Sequence, residues 1–243
     1  MRADDLRGMF YIGLKDLRAY YFKPPNLSWG IMFPFAFVLA FAIRNPGDTR
    51  ELVPGLLGLT ALFGTSSMEA IVIVFERRNG SLERLLLAPV SLPALLAGKL
   101  LGGIVFGLTV TLAVLVMAIV LFGADGINWL LLVLALLLST AAFASLGAFV
   151  SVAVREIFEA QTLANFVRFP MIFLGGVFVP LASMPPALQA VARALPLTFS
   201  VEALRGALSG SSPAVGALDL VVLAGFAVVF FALALRLLAR RLE

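Results

Sequence analysis

The stretch "VFERRNGSLERLLLAPV", Val74 to Val90, places five charges within nine residues, Glu76 to Arg84, between two long apolar runs. Such a segment reads as a short polar connection between two membrane spans. The flanking composition supports this. Of 243 residues, 61% are hydrophobic and 13% charged, and the mean hydropathy is +1.05. Soluble domains are about 45–50% apolar and about 25% charged. A soluble chain of this length could not bury that excess, so part of it faces lipid.

A spanning helix needs roughly 20 apolar residues. Six stretches qualify: about 27–43 with Pro34 as a kink, 54–75, 92–122, 127–154, 163–179 and 214–238. The expected fold is therefore all-α and polytopic, one membrane domain over residues 1–243. Before the first span, residues 1–25 hold Leu6, Met9, Phe10, Leu14, Leu17 and Tyr21 at spacings of three and four among charged positions. That is the pattern of an amphipathic helix in the membrane interface, ended by Pro24-Pro25. It has no continuous apolar core and so is no cleaved signal.

Sorting the 18 basic residues by loop orients the chain. Fourteen fall on one side: Arg2, Arg7, Lys15, Arg18, Lys23, Arg77, Arg78, Arg84, Lys99, Arg155, Arg168, Arg236, Arg240 and Arg241. Four fall on the other: Arg44, Arg50, Arg193 and Arg205. Basic residues favour the cytoplasm. Both termini are expected there, as six spans require, in the cell membrane of a prokaryote. Topology, rather than a nucleic-acid partner, accounts for the net charge of +4.

The opening stretch is then a cytoplasmic loop, about 76–90. Ser81 can cap a short helix, with Leu82, Leu85 and Leu86 on one face and Glu83 and Arg84 beside them. Such a helix is too short to stand alone in water. It must lean on the membrane or on a partner.

The absences are informative. With no His and no Cys, the usual general base and the commonest metal ligands are missing, and no metal site is expected. No phosphate-binding loop occurs, because Gly98-Lys99 is followed by Leu100 and Pro93 replaces the upstream glycine. No Gly-x-Ser-x-Gly elbow is present. Ionisable residues within the spans are few. Glu69 lies in the second, and reads as a packing residue bonded to Ser66 or Ser67, or alternatively as a proton or cation site. Glu202 and Arg205 follow Pro196 and are gate or packing candidates. Gly98, Gly102, Gly103 and Gly107 permit close helix packing.

The stretch 180–210 is broken at Pro180, Pro185-Pro186 and Pro196. Two short helical pieces, about 187–195 and 199–208, are expected as a re-entrant hairpin in the outer leaflet, since broken backbone at membrane depth needs protein or a cavity to cover it.

Two motifs resemble the membrane subunit of ATP-binding-cassette exporters of the type-two permease family. One is "FERRNGSLERLLLAPVSLPALLAGKL", Phe75 to Leu100; the other is "LPLTFSVEALRGAL", Leu195 to Leu208. The order of elements along the whole chain is similar too. The resemblance implies a permease rather than an enzyme. A separate ATPase subunit would hold ATP and Mg²⁺, and this chain would bind no cofactor. It implies that Glu76, Arg77, Arg78, Asn79, Gly80, Ser81, Leu82, Glu83, Arg84, Leu85 and Leu86 form a coupling helix that docks on that ATPase. A second permease subunit, identical or not, would complete the pathway. Apolar anchors would supply affinity and charges specificity. With 21 Phe, and the three Tyr confined to the N-terminal segment, an amphipathic drug, antibiotic or lipid fits better than a glycan. A glycolipid or polysaccharide permease of the same family is the alternative. A secondary carrier would need an inverted repeat and paired midplane charges, and neither is evident.

Overall fold

A computed structural model gives an all-helical bundle, with no strand among the described residues, which are 3–24, 26, 32, 36, 49–124, 126–210 and 212–241. The expected first span, 27–43, lies outside them apart from two single positions. The helices are α1 (Ala3–Asp16), α2 (Val53–Arg78), α3 (Ser81–Leu86), α4 (Leu92–Phe122), α5 (Trp129–Ala153), α6 (Ile157–Leu174), α7 (Pro186–Ala192), α8 (Pro196–Leu208) and α9 (Pro213–Arg240). A π-turn, Leu17–Tyr21, extends α1.

Among the described residues, four helices are long and apolar enough to cross a membrane: α2, α4, α5 and, from Gly216, α9. The chain is an integral membrane protein. The expected fifth span, 163–179, takes a different shape. Helix α6 starts earlier, at Ile157, and stops at Leu174. Gly176 has φ +74°, a left-handed conformation that glycine adopts without steric cost. That turns the chain out of the helix although the apolar run continues to Val179.

Local sequence sets the ends. Pro54, Pro93, Pro196 and Pro213 sit in the first turns of their helices, where the missing N–H has no partner to lose. Asn128 accepts the Leu131 N–H at 3.1 Å and opens α5. At the start of α6 the Glu159 carboxylate accepts the backbone N–H groups of Arg155 and Glu156 at 3.0 and 3.2 Å.

Helix α2 runs through the centre of the bundle and joins three apolar clusters. At its first end Leu57 packs with Val114, Leu131 and Leu204. In the middle Leu62 packs with Phe143, Met171 and Val201. At its last end Ile73 packs with Leu82, Leu95, Leu96 and Leu238. Glycines let α4 and α5 come close to it. A Cβ on Gly107 would lie 2.0 Å from Thr65 Oγ1, and one on Gly147 2.7 Å from the Ser66 carbonyl oxygen. The segment after α6 folds back onto the first end of α2. Leu197, Val201 and Leu204 of α8 are buried there, and the Ser200 and Ser139 hydroxyls hydrogen-bond at 2.7 Å.

Candidate functional site

The charged stretch forms a hairpin-like foot at the last end of α2. Helix α2 stops at Arg78, and the Asn79 N–H still reaches the Phe75 carbonyl at 3.1 Å. Gly80 follows at φ +72°, the left-handed residue that terminates many helices. The Asn79 side chain, rather than Ser81, supplies the capping acceptor. Its Oδ1 takes the Ser81 N–H at 3.1 Å, across the turn into α3. Helix α3 has only six residues. Its Leu82 is 3% exposed and packs into the core formed by α2, α4 and α9. Leu85 and Leu86 are half-buried at the same core, while Glu83 and Arg84 are exposed. Leu87, just beyond, is 87% exposed.

Helix α1 grips this foot at both ends. At the far end Asp5 Oδ1 accepts the Ser91 N–H at 2.9 Å, and Gly8 lies against Val90 so closely that a Cβ would meet its methyl group at 2.5 Å. At the near end Glu76 is bonded by both Lys15 and Lys99. Asp16 completes the ring, 2.9 Å from Lys15 and 3.2 Å from Lys99. Asp16, Glu76 and Lys99 are fully buried, and Lys15 is partly open. Burial pushes the Asp16 carboxyl above the usual carboxylate range, against the pull of Lys99 and Lys15. Burial alone would lower the Lys15 ammonium, but the carboxylates of Asp16 and Glu76 outweigh it and raise it. Two cations and two anions alternate, so the buried charge is balanced within the cluster.

The remaining sequence-singled residues divide. Arg77 donates to the Val154 carbonyl at 2.5 Å, which Arg241 also reaches at 3.0 Å. Arg78 pairs with Glu156 at 2.8 Å. Both arginines therefore tie the foot to the α5–α6 turn. Glu69 is bonded by the Tyr21 hydroxyl, not by Ser66 or Ser67. Ser66 bonds its own helix instead, at the Leu62 carbonyl. Glu202 and Arg205 are neighbours at 3.5 Å, and Arg205 also donates to the Gly176 carbonyl at 3.0 Å. Arg205 lines a cavity of about 590 Å³ together with Glu51, Pro54, Ile119 and Phe178. Arg168, counted among the loop cations from sequence, is instead buried inside α6. Of the eleven foot residues, Glu76 and Leu82 are committed to this subunit's interior. Glu83 and Arg84, together with Leu87 outside the expected set, form its outward surface. Leu87 could have been found as the apolar residue just past the last turn of α3.

The ABC-2 type transporter family model matches residues 9–209, which includes the foot and α8. The chain belongs to the ABC-2 type transporter family. This ABC-2 permease is 25% identical over 189 residues to the inner membrane transport permease YadH of Escherichia coli strain K12, covering 78% of this chain and 74% of that protein. It is 31% identical over 222 residues to the daunorubicin resistance ABC transporter permease protein DrrB1 of Streptomyces coeruleorubidus, covering 85% and 74%. It is 29% identical over 185 residues to nodulation protein J of Rhizobium meliloti, covering 75% and 71%. Permeases of this family are membrane subunits that partner with an ATP-binding subunit.

Proposed function

We propose that this chain is the permease subunit of an ATP-driven exporter that moves an amphipathic or apolar molecule outward, powered by a separate ATPase subunit seated on the foot. One observation carries the reading. A six-residue helix, unstable alone, is clamped by its own subunit at Glu76 and at Ser91, while Glu83, Arg84 and Leu87 are left outward. A rigid foot of this kind passes a push from below into α2 and α4 without being deformed by it. In this reading six spans put both termini in the cytoplasm, α1 lies in the interface with Leu6 and Phe10 toward lipid, and residues 180–210 form the outer re-entrant hairpin. Two permease subunits enclose the pathway. The word "resistance" in the name of DrrB1 favours efflux of a drug-like molecule over a glycan.

The test is a pair of foot variants in the complex with the cognate ATP-binding subunit. Leu87→Asp with Arg84→Glu should abolish co-purification of the ATPase and ATP-driven transport, and leave the permease's melting temperature unchanged. Unchanged transport would refute the docking assignment. Leu82 is unsuitable for this purpose, because its truncation opens the permease's own core.

A further inference from the structure

Arg168 lies in the middle of α6, two residues before Pro170. Its side chain is 1% exposed. Nη1 donates to Ser67 Oγ at 2.8 Å and Asn165 Oδ1 at 3.3 Å. The guanidinium carbon sits 5.4 Å from the centre of the Phe63 ring. Nε and Nη2 are buried and have no hydrogen-bond acceptor among the described residues. No carboxylate pairs with Arg168 among the described residues.

Residues 27–43 contain neither Asp nor Glu. Glu69 is two residues from Ser67, hence on the other side of α2, where Tyr21 bonds it. Glu159 is nine residues back along α6, about 13 Å at 1.5 Å per residue. A guanidinium withdrawn from water without a counter-charge is costly, and a buried polar group left without a partner asks for one. One hydroxyl and one amide leave its charge uncompensated. The geometry of what is unmet is specific. Nε–H and the adjacent Nη2–H project in parallel from one edge of the guanidinium plane, at a spacing that matches two oxygens of a carboxylate or phosphate. The edge without acceptors is that edge.

We propose that the Nε–Nη2 edge of Arg168 binds a carboxylate or phosphate oxygen pair on the molecule this permease moves, so that its cargo is an acidic amphiphile. The proposal rests on the export reading above and narrows its substrate class. Phe63 stacks behind the cation, and the apolar middle of the bundle receives the rest of such a molecule. Entry requires α6 to part from α2. Pro170 provides for this, since it has no N–H for the Phe166 carbonyl and leaves α6 weakest just beyond Arg168.

The test uses the full chain in phosphatidylcholine nanodiscs, with dodecyl phosphate and dodecanol as probes and protein-free nanodiscs as the blank. Wild type should bind the phosphate about tenfold or more tightly than the alcohol. Arg168→Gln should bring the two within about twofold. Arg168→Lys, a point charge without the fork, should fall between. Ser67→Asp places a carboxylate beside the guanidinium; it should lose the preference and melt no lower than wild type, which keeps the test alive if Arg168→Gln does not fold. Equal affinities in wild type, or a preference surviving in Ser67→Asp or in a folded Arg168→Gln, would overturn the proposal. Phosphatidylglycerol added to the nanodiscs separates cargo from resident lipid. A cargo site keeps its affinity for dodecyl phosphate, whereas strong competition assigns the fork to a lipid headgroup and sinks the cargo assignment. With the ATPase subunit present, inverted proteoliposomes should take up dodecyl phosphate on adding ATP. No uptake, with the binding preference intact in wild type and lost in Arg168→Gln, would count against the export reading and leave the oxyanion site standing.

Discussion

Glu76, at the last end of α2, is bonded by Lys99 of α4 and by Lys15 of α1, so three helices meet at one carboxylate beside the foot. Any force on α3 therefore reaches α1, α2 and α4 together. Removing one member leaves buried charge unmatched. Lys99→Met is expected to destabilise the permease by roughly 3–5 kcal/mol, read as a lower melting temperature in detergent. Lys99→Met with Glu76→Gln removes one charge of each sign and should recover part of that loss. A double variant as unstable as the sum of the two singles would show that the ion pair is not the coupling element.

The turn into α3 makes a separate prediction. Gly80 holds φ +72°, where a side chain with a Cβ costs about 1–2 kcal/mol, and Asn least among non-glycine residues. Gly80→Val should lower the coupling of ATP hydrolysis to transport more than Gly80→Asn does, with the ATPase still bound. Equal coupling in both variants would argue that the angle of α3 is not set by this residue.

Close approach of α2 and α5 predicts a stability effect away from the foot. A Cβ at Gly147 would lie 2.7 Å from the Ser66 carbonyl oxygen and 2.9 Å from Glu69 Cβ. The first is backbone and cannot rotate away. Gly147→Ala should cost about 1–3 kcal/mol through overpacking, seen as a lower melting temperature. The same change at Gly225, where no atom lies within 4 Å of an added Cβ, should be neutral or slightly stabilising because it favours helix.

Much of this architecture is legible in local sequence, and what is missed has a common cause. Helix α4 begins and ends where its apolar run does, because Ser91-Leu92-Pro93 opens a helix and Gly123 closes it. The two pieces after Pro185 and Pro196 are likewise placed by their prolines. Helix α6 is misjudged because hydropathy does not register the positive φ of Gly176. Tyr21 and Glu69, Asp5 and Ser91, and Arg168 and Ser67 are 48, 86 and 101 residues apart. Their meeting depends on helix packing, about which local pattern is silent. Helical spacing does put Leu82, Leu85 and Leu86 on one face; that this subunit's own core meets that face is again a matter of helix packing.

The cap of α6 predicts a pH effect with a definite sign. Glu159 is exposed, and its carboxylate accepts the backbone N–H groups of Arg155 and Glu156. Those two bonds hold its carboxyl below the ordinary glutamate range, with the nearby Arg155 charge adding to them. A carboxyl whose folded-state value is depressed contributes stability that is fully present above its unfolded value, near pH 4.3. That contribution is lost as pH falls through the lower folded value. Amide exchange at Arg155 and Glu156 should therefore become faster between about pH 5 and pH 3, once the intrinsic pH dependence of exchange is divided out. Glu159→Gln should raise exchange at both amides near neutral pH and flatten the profile, since its amide oxygen accepts more weakly and does not titrate. Arg78 pairs with Glu156 at the same turn, so Arg78→Ala serves as the control: it removes an ion pair there and leaves the Glu159 profile in place. A profile unchanged by Glu159→Gln would show that the Glu159 carboxylate does not carry the pH response.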